Sequence, residues 1–280
     1  MESVTTAARM KEVSAGTRAA GRRLGLVPTM GALHEGHLSL VQRALAECGT
    51  VVLSIYVNPL QFGPGEDFER YPRDLGRDAA LARGAGVAIL FVPGEGEVHI
   101  AGHRTRVEVE GMQDALCGRS RPGHFRGVTT VVAKLLAIVR PHAAYFGEKD
   151  AQQFRIVRRM ARDLHAEATL VACPTVREAD GLALSSRNAY LTPEERRAAP
   201  VLHRALEEGA GLARSGVRDA GAILERVRRT LASEPLARVD YVEAVDDETL
   251  APVAEVRGRV LLAAAAWFGR ARLIDNVTIG

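Results

Sequence analysis

The stretch Val27-Pro28-Thr29-Met30-Gly31-Ala32-Leu33-His34-Glu35-Gly36-His37 separates a short apolar run from a longer amphipathic one. The apolar run covers residues 24–27 and the amphipathic run covers residues 38–46, an order that predicts a strand, a tight glycine-containing turn and a helix. A helix that begins directly after a strand presents unpaired backbone N–H groups and the positive end of its dipole. Such a helix start suits a phosphate chain.

Two histidines lie at this predicted helix start. His34 and His37 are three residues apart, so both fall on one side of a helical turn and can point to the same anion. A structural turn is an alternative, because Gly31 and Gly36 are also ordinary turn residues. A zinc site is a third interpretation, but metalloprotease histidines are four residues apart and no further ligand stands nearby. The pattern alone favours anion binding and leaves the other two open.

Segments with strand-like and helix-like patterns alternate over residues 5–172. The strand-like runs lie at residues 24–27, 50–57, 87–92, 143–146 and 168–172, with a short extra strand at 105–109. The helix-like runs lie within residues 5–23 and at residues 37–47, 74–84, 128–139 and 151–163. This alternation predicts an α/β fold with a Rossmann-like, doubly wound parallel sheet.

The composition changes after residue 174, where a polar and turn-rich segment extends to residue 192. Charged amphipathic helices and alternating strands are predicted beyond it, at residues 193–214, 219–232, 239–245, 259–265 and 272–278. We therefore expect a nucleotide-binding domain of residues 1–183 and a smaller C-terminal α+β domain of residues 184–280.

Further polar loops fall at strand ends or near the domain junction, where α/β sheets bind ligands. They cover residues 58–64, 121–127, 147–153 and 174–188. Each has a structural alternative. Gln61 on its own is typical of a loop, Arg121 and His124 of a solvated basic surface, and Asp150 beside Lys149 of a helix cap. The last loop is equally typical of a linker.

Five motifs in this order resemble the signature sequences of the pantothenate synthetases, the pantoate–β-alanine ligases of the HIGH-motif nucleotidyltransferase superfamily. They are PTMGALHEGH at 28–37, VNPLQF with YPR at 57–73, RPGHFRGV at 121–128, FGEKDAQQ at 146–153 and PTVREADGLALSSRN at 174–188. The last resembles the family's counterpart of the KMSKS loop. The resemblance covers nearly the whole chain. It implies an ATP-dependent condensation of (R)-pantoate with β-alanine to pantothenate, AMP and pyrophosphate, through a pantoyl adenylate.

The resemblance also implies roles for individual residues. Catalytic roles fall to His34, His37 and Lys149. Gln61 and Gln153 are implied to hold pantoate, and Gln61 also to contact β-alanine. ATP binding is implied for Met30, Gly31, Ala32, Leu33, His34, Glu35, Gly36, His37, Gly147, Glu148, Lys149, Asp150, Val176, Leu184, Ser185, Ser186 and Arg187. A homodimer is implied as well.

Magnesium is expected to accompany ATP. Mg²⁺ is a small, hard ion that is usually held by substrate phosphates and water, with few protein ligands. Asp78 is our candidate for a water-mediated contact with this ion.

Composition narrows the class of protein. The chain has 280 residues, 47% of them hydrophobic, and a formal charge of +3 without a dense basic block, so nucleic acid is not a favoured partner. Cys48, Cys117 and Cys173 are widely spaced, which predicts reduced thiols in a cytoplasmic protein. The longest apolar run, residues 260–268, is too short to cross a membrane, and no secretory signal is recognised at the N-terminus.

The sequence departs from the family pattern at three places. Leu184 replaces the usual methionine, Cys117 stands where a glutamate is common, and residues 98–100 (Val-His-Ile) replace the usual Met-Tyr-Pro turn. Two other functions share part of the pattern, namely a cytidylyltransferase and a non-catalytic nucleotide sensor. The first does not explain Gln61 and Gln153 in their sequence contexts, and the second does not explain why the catalytic-type residues are retained.

Overall fold

The structure is a computed structural model that describes residues 1–66 and 68–280. Its residues form two compact units. The first unit consists of Met1–Gln113, Arg121–Glu148 and Ile156–Pro174, and the second of Asp114–Ser120, Lys149–Arg155 and Thr175–Gly280. Residues 149–155 and 175–183 thus belong to the second unit. The domain boundary at residue 184, expected from composition, stays a prediction.

The first unit is built on a sheet whose neighbouring strands are all parallel. Its strands are β1 (Glu2–Val4), β2 (Leu24–Thr29), β3 (Thr50–Ile55), β4 (Ile89–Phe91), β5 (Ala143–Gly147) and β6 (Thr169–Cys173), in the spatial order β1-β4-β3-β2-β5-β6. The helices up to residue 163 are α1 (Ala7–Ala19), α2 (Glu35–Cys48), α3 (Leu75–Gly84), α4 (Glu95–Val98), α5 (Cys117–Ser120), α6 (His124–Val139) and α7 (Ala151–Asp163). The predicted doubly wound α/β fold is confirmed.

The direction of winding reverses at β2. Leu26 of this strand pairs with Val52 of β3 on one side and with Ala144 of β5 on the other. A crevice opens at such a switch point beyond the carboxyl ends of the two central strands. The turn that follows β2 and the end of β5 lie at these ends, so the fold places the PTMGALHEGH motif, and Gly147 with Glu148, where ligands bind in this class of sheet.

Apolar packing on both faces explains the continuous hydrophobic runs of the central strands. Every residue of β3 is buried, and Val27, Leu53 and Tyr145 belong to a common core cluster with residues of α2. That helix buries Leu40, Val41, Ala44 and Cys48 toward the sheet, at the spacing expected of one helical face. The core therefore fixes the orientation of α2, whose N-terminus carries the two histidines.

The second unit contains an antiparallel sheet of β7 (Ala237–Asp246), β8 (Val260–Phe268) and β9 (Ala271–Ile279). Its helices beyond residue 190 are α8 (Pro193–Ala198), α9 (Val201–Arg214) and α10 (Ala220–Ala232). Apolar side chains of α9, α10 and β8 form one core cluster. Gly209 allows α9 and α10 to approach closely, because a Cβ atom there would lie 2.6 Å from Val227 Cγ2. The predicted α+β character of this part is confirmed.

The structure differs from the prediction at several elements. β1 was not predicted, because three residues are too few to show a strand period, yet it pairs with the edge strand β4. The strand expected at residues 105–109 is wrong: the backbone N–H and C=O of Val107 bond to the hydroxyls of Thr130 and Thr129 instead of to a strand. The helix expected over residues 193–214 is two helices, interrupted at residues 199–200, where Pro200 is the N-cap of α9.

Other expectations about the chain concern membranes and cysteines. Within residues 1–66 and 68–280, none of the helices combines the length and the apolar character that a membrane crossing requires. Cys48, Cys117 and Cys173 are buried free thiols, as their spacing predicted.

Candidate active site

The turn after β2 has a strained backbone conformation. Gly31 has φ 84° and Ala32 has φ 51°, both in the left-handed region. A side chain at Gly31 would also collide with its surroundings, since a Cβ atom there would lie 2.9 Å from Asp78 Oδ2. The glycine of the motif is therefore required both by its φ angle and by the closeness of a carboxylate.

That carboxylate holds the turn in place. Asp78 Oδ2 accepts a 2.8 Å hydrogen bond from the amide of Ala32, and Oδ1 accepts one of the same length from the amide of Leu33. Asp78 is 1% exposed. Its assignment as a water-mediated magnesium contact stays a prediction, and the burial of the carboxylate and its use by two amides argue against it. The geometry instead gives Asp78 a positioning role toward the turn.

The two histidines cap α2 reciprocally. His34 Nδ1 accepts a hydrogen bond from the amide of Gly36 (3.2 Å), and His37 Nδ1 accepts one from the amide of His34 (3.3 Å). Their ring centroids are 4.1 Å apart. A neutral imidazole that accepts at Nδ1 carries its proton on Nε2. Both rings are therefore hydrogen-bond donors from Nε2, at the helix end where the dipole and the first N–H groups also favour an anion.

Gln61 lies next to this motif in the first unit. It ends the 3₁₀-helix Pro59–Gln61 after β3, and it is 8% exposed. Its Nε2 donates to Met30 Sδ over 3.1 Å, while its Oε1 accepts from Asn58 Nδ2 over 3.0 Å. The predicted ligand residues Met30 and Gln61 are thus brought together. Asn58, which the sequence marked only as part of a turn, is the residue that orients the Gln61 amide.

The RPGHFRGV motif supports Gln61 from its backbone side. His124 Nδ1 lies 2.8 Å from the carbonyl oxygen of Gln61, and Arg121 donates to His124 Nε2 over 3.0 Å. This places the proton of a neutral His124 on Nδ1, where it is donated to Gln61. Arg121 also pairs with Glu66. His124 and Arg121 thus brace the main chain of Gln61.

A glycine of the same motif brings α6 against this turn. A Cβ atom at Gly127 would lie 2.2 Å from the carbonyl oxygen of Leu60. The carbonyl of Gly127 accepts a 3.1 Å hydrogen bond from Asn58 Nδ2. Only a residue without a side chain permits this approach of two backbones.

The FGEKD motif is divided between the two units. Gly147 and Glu148 close the end of β5 in the first unit, and Lys149 and Asp150 begin the next segment, in the second. Lys149 Nζ lies 4.0 Å from Asp150 Oδ1, and the Lys149 side chain is partly exposed at 21%. The Lys149 carbonyl accepts from Asn276 Nδ2 over 3.1 Å. The backbone of Lys149 is therefore held by β9.

The two glutamines at the start of α7 have different surroundings. Gln152 is buried, and its amide accepts from the Cys117 backbone N–H (3.0 Å) and donates to the Ala115 carbonyl (2.7 Å). Gln153 is partly exposed. The first glutamine holds a loop of the second unit. The assignment of Gln153 to a pantoate contact stays a prediction.

The KMSKS-like motif forms a hairpin in the second unit, and hydrogen bonds to β9 hold this hairpin in place. The Leu184 amide donates to the Val176 carbonyl over 3.0 Å, and Arg177 bridges to Ala183. Val176 and Leu184, both predicted to touch ATP, are thereby neighbours. Arg177 donates to both oxygens of Asp275 on β9, over 2.6 and 2.9 Å.

The part of that motif that is predicted to bind phosphate continues directly from the hairpin. Ser185 Oγ accepts from the Arg187 amide over 3.2 Å and caps the 3₁₀-helix Ser186–Tyr190. Two consecutive residues of β9, Asp275 and Asn276, thus hold two segments of the second unit that are predicted to bind nucleotide, at Arg177 and at Lys149. No sequence signal marked them, because neither lies in a recognised motif.

Comparisons with known proteins identify the family of this chain. The sequence model of the family described as Pantoate-beta-alanine ligase matches residues 2–278. A pantothenate synthetase from Moorella thermoacetica is 54% identical over 279 residues, covering 100% of this chain and 99% of the relative. One from Thermotoga neapolitana is 53% identical over 280 residues, with full coverage of both chains.

Solved structures give the same result. A pantothenate synthetase from Thermus thermophilus superposes with a TM-score of 0.92 at 50% identity, covering 99% of each chain. A pantoate-β-alanine ligase from Francisella tularensis, complexed with Beta-gamma ATP and Beta-alanine, has a TM-score of 0.80 at 32% identity and covers 99% of this chain and 97% of its own. The chain belongs to the pantoate–β-alanine ligase family.

Proposed function

We propose that this chain condenses (R)-pantoate with β-alanine and cleaves ATP to AMP and pyrophosphate, through a pantoyl-adenylate intermediate. The observation that carries the proposal is the pair of Nε2–H donors of His34 and His37 at the N-terminus of α2, in a chain that the family matches over residues 2–278. Family membership supplies the substrates, and the donor pair supplies the means of binding a triphosphate.

Two chemical steps follow. A carboxylate cannot expel oxide, so it must first be activated. A pantoate carboxylate oxygen attacks the α-phosphorus of ATP, the bond from that phosphorus to the β-phosphate bridging oxygen breaks, and pyrophosphate leaves. The β-alanine amine then attacks the acyl carbon, AMP departs with the activated oxygen, and the ammonium loses a proton to give the amide. Neither step needs a covalent bond to the protein, so catalysis consists of placement and charge stabilisation.

In the first unit, His34 and His37 donate to phosphate oxygens and, with the amides at the start of α2, stabilise the charge that develops on the triphosphate. Gln61 orients pantoate and contacts β-alanine. The remaining members of this ATP-binding set are Met30, Gly31, Ala32, Leu33, Glu35, Gly36, Gly147 and Glu148.

In the second unit, Lys149 supplies a positive charge for the phosphates and Asp150 an acceptor for ribose hydroxyls. Gln153 holds pantoate. The hairpin and the turn beyond it complete the proposed ATP-binding set with Val176, Leu184, Ser185, Ser186 and Arg187. The support for this group is that β9 anchors both segments in one compact unit.

Magnesium is proposed as the companion of ATP. Among residues 1–66 and 68–280, no group of three or more His, Cys, Asp or Glu side chains could hold a metal ion by itself. This fits an ion carried mainly by phosphate oxygens and water. When bound, it would neutralise phosphate charge as the pyrophosphate leaves.

We further infer a homodimer and a cytoplasmic location, with small molecules and not nucleic acid as partners. The support for the dimer is likeness to the family alone. Three buried free thiols are typical of a reducing compartment, which supports the location. Sedimentation equilibrium of the purified chain tests the dimer, and a single species at the monomer mass would contradict it.

The proposed function is tested by pyrophosphate release from ATP. We expect release with pantoate alone, and AMP release that increases when β-alanine is added. Other small carboxylates serve as controls for the acid, and CTP as the control for the nucleotide. Turnover of CTP without a carboxylate would indicate a cytidylyltransferase, and nucleotide binding without any release would indicate a sensor.

Replacing Gln153 with alanine should raise the KM for pantoate by about tenfold, the effect of losing one or two hydrogen bonds of about 1 kcal/mol each. The dissociation constant of ATP should stay within about twofold, because the proposed ATP contacts are elsewhere. Gln42→Ala, the same change on the exposed face of α2, is the matched control. Loss of ATP binding in isothermal titration of the Gln153 variant would show that the residue is assigned to the wrong pocket.

A further inference from the structure

A chain of hydrogen bonds leads from the half-buried Lys134 to Gln61 in the first unit. We propose that Lys134, His99 and Asn58 are positioning residues that fix which end of the Gln61 amide is presented to substrate. The chain runs from Lys134 Nζ to His99 Nδ1 (2.9 Å), from His99 Nε2 to Asn58 Oδ1 (2.9 Å), and from Asn58 Nδ2 to Gln61 Oε1 (3.0 Å). The substrate end of the proposal rests on the proposed function.

The orientation of Asn58 is set by the backbone around it. The Leu60 N–H, which can only donate, lies 3.3 Å from Asn58 Oδ1. The Gly127 carbonyl, which can only accept, lies 3.1 Å from Asn58 Nδ2. The Asn58 oxygen therefore faces His99 and the Asn58 amide nitrogen faces Gln61. Asn58 is 1% exposed, so water does not compete for these bonds.

The tautomer of His99 agrees with this orientation from the other end. The ammonium of Lys134 has no acceptor capacity and donates both to the Val98 carbonyl (2.8 Å) and to His99 Nδ1. His99 must then carry its proton on Nε2, where it is donated to Asn58 Oδ1. The ring is 7% exposed and stacks on His103 with centroids 4.7 Å apart.

The charges around His99 keep it neutral. Burial lowers the pKa of His99 to about 4, and the positive charges of Lys134, His103 and Arg106 act in the same direction. A second proton would have to sit on Nδ1, directly against the Lys134 ammonium. The donor direction along the chain therefore does not change near neutral pH.

The orientation of Asn58 in turn determines the orientation of the Gln61 side-chain amide. Since Gln61 Oε1 accepts from Asn58, Gln61 Nε2 must point the other way, where it donates to Met30 Sδ over 3.1 Å. A thioether is a weak acceptor. An oxygen of the substrate is a stronger one, so the NH₂ group selects a carboxylate or hydroxyl oxygen and disfavours a donor such as an ammonium. In this arrangement Gln61 meets pantoate or the carboxylate end of β-alanine.

His99 lies in the segment where this sequence departs from its family, at residues 98–100. Two substitutions of His99 test the hydrogen bonds of its two ring nitrogens separately. An asparagine at position 99 places its side-chain oxygen near the position of His99 Nδ1, where it can still accept from Lys134. Its side chain is too short to reach Asn58. A glutamine at position 99 places its side-chain amide nitrogen near the position of His99 Nε2, where it can still donate to Asn58.

The experiment compares His99→Asn with His99→Gln in the full chain. We expect the KM for pantoate to rise about tenfold in His99→Asn and less than about threefold in His99→Gln, with the KM for ATP unchanged within about twofold in both. A merely structural role would move both KM values together, or would make the two variants equal. Either of those results would overturn the proposal.

A second measurement does not depend on activity or on a variant that folds. In ¹⁵N-histidine-labelled wild-type protein at neutral pH, we expect His99 to show a protonated Nε2 and an unprotonated Nδ1. The opposite tautomer would overturn the proposal. If the wild type released no pyrophosphate with pantoate, the proposed function would fail, while the tautomer would still decide whether the hydrogen-bonded chain exists.

Discussion

Replacing His37 with alanine is expected to lower kcat by at least about 100-fold, the typical cost of removing a donor that stabilises developing charge. His37 Nδ1 accepts from the His34 amide, so the proton on Nε2 is the one that we propose is donated to a phosphate oxygen. The KM for pantoate should change much less, because the proposed pantoate contacts are Gln61 and Gln153. Steady-state kinetics with pyrophosphate release as the readout measures both quantities.

The same substitution also removes a helix cap, and this must be separated from the loss of the donor. His37 closes the capping box of α2, and removing such a cap costs about 1 kcal/mol of stability. His37→Asn places an oxygen near the position of Nδ1 and keeps the cap without an Nε2 donor. His37→Gln places an amide nitrogen near Nε2 and keeps the donor without the cap. We expect the asparagine variant to be as inactive as alanine and the glutamine variant to keep more of the activity. Near-normal turnover of the alanine or asparagine variant would contradict the assignment.

The sequence predicted the fold wherever one physical signal dominated. The central strands β2, β3 and β5 are buried on both faces, so they appear as continuous apolar runs that a pattern can recognise. β1 carries no such signal, since its three residues form a strand only because β4 offers an unpaired edge. Residues 105–109 alternate like a strand, but hydroxyl groups of α6 satisfy the Val107 backbone. Both errors depend on partners that lie far away in the sequence.

For the candidate site, too, the sequence located some residues and missed others. The motifs placed His34, His37 and Gln61 at strand ends, because the position of a loop follows from the order of strands and helices. The residues that orient them were not identifiable. Asp78 is 46 positions from the amide that it holds, and His99 is 41 positions from Asn58. A hydrogen bond over such a separation leaves no periodicity in the sequence, and only the folded chain shows it.

Replacing Asp78 with alanine is expected to remove both stability and activity. Two buried amides, those of Ala32 and Leu33, would lose their acceptor, and each unsatisfied buried donor costs about 1–3 kcal/mol. Ala32 also has a left-handed φ of 51°, which persists only where the surroundings enforce it. Without the carboxylate the turn should relax and carry His34 away from its donor position. Because a displacement of about 1 Å can cost 100-fold in rate, we expect a loss of that order in kcat/KM.

Asp74→Ala is the matched control, because Asp74 caps the same helix, α3, through the Arg77 amide and does not contact the turn. This control substitution should lower the free energy of unfolding by about 1 kcal/mol, measured by chemical denaturation, and leave kcat/KM nearly unchanged.

A magnesium-titrated assay distinguishes the two roles considered for Asp78. A positioning carboxylate predicts a loss of stability and activity that added magnesium does not restore. A carboxylate that contacts the ion through water predicts normal stability and a raised magnesium requirement, and that result would contradict the positioning role. Asp78→Asn sharpens the distinction, since its NH₂ group must face one of two N–H groups and should destabilise the turn even though the side chain keeps its size.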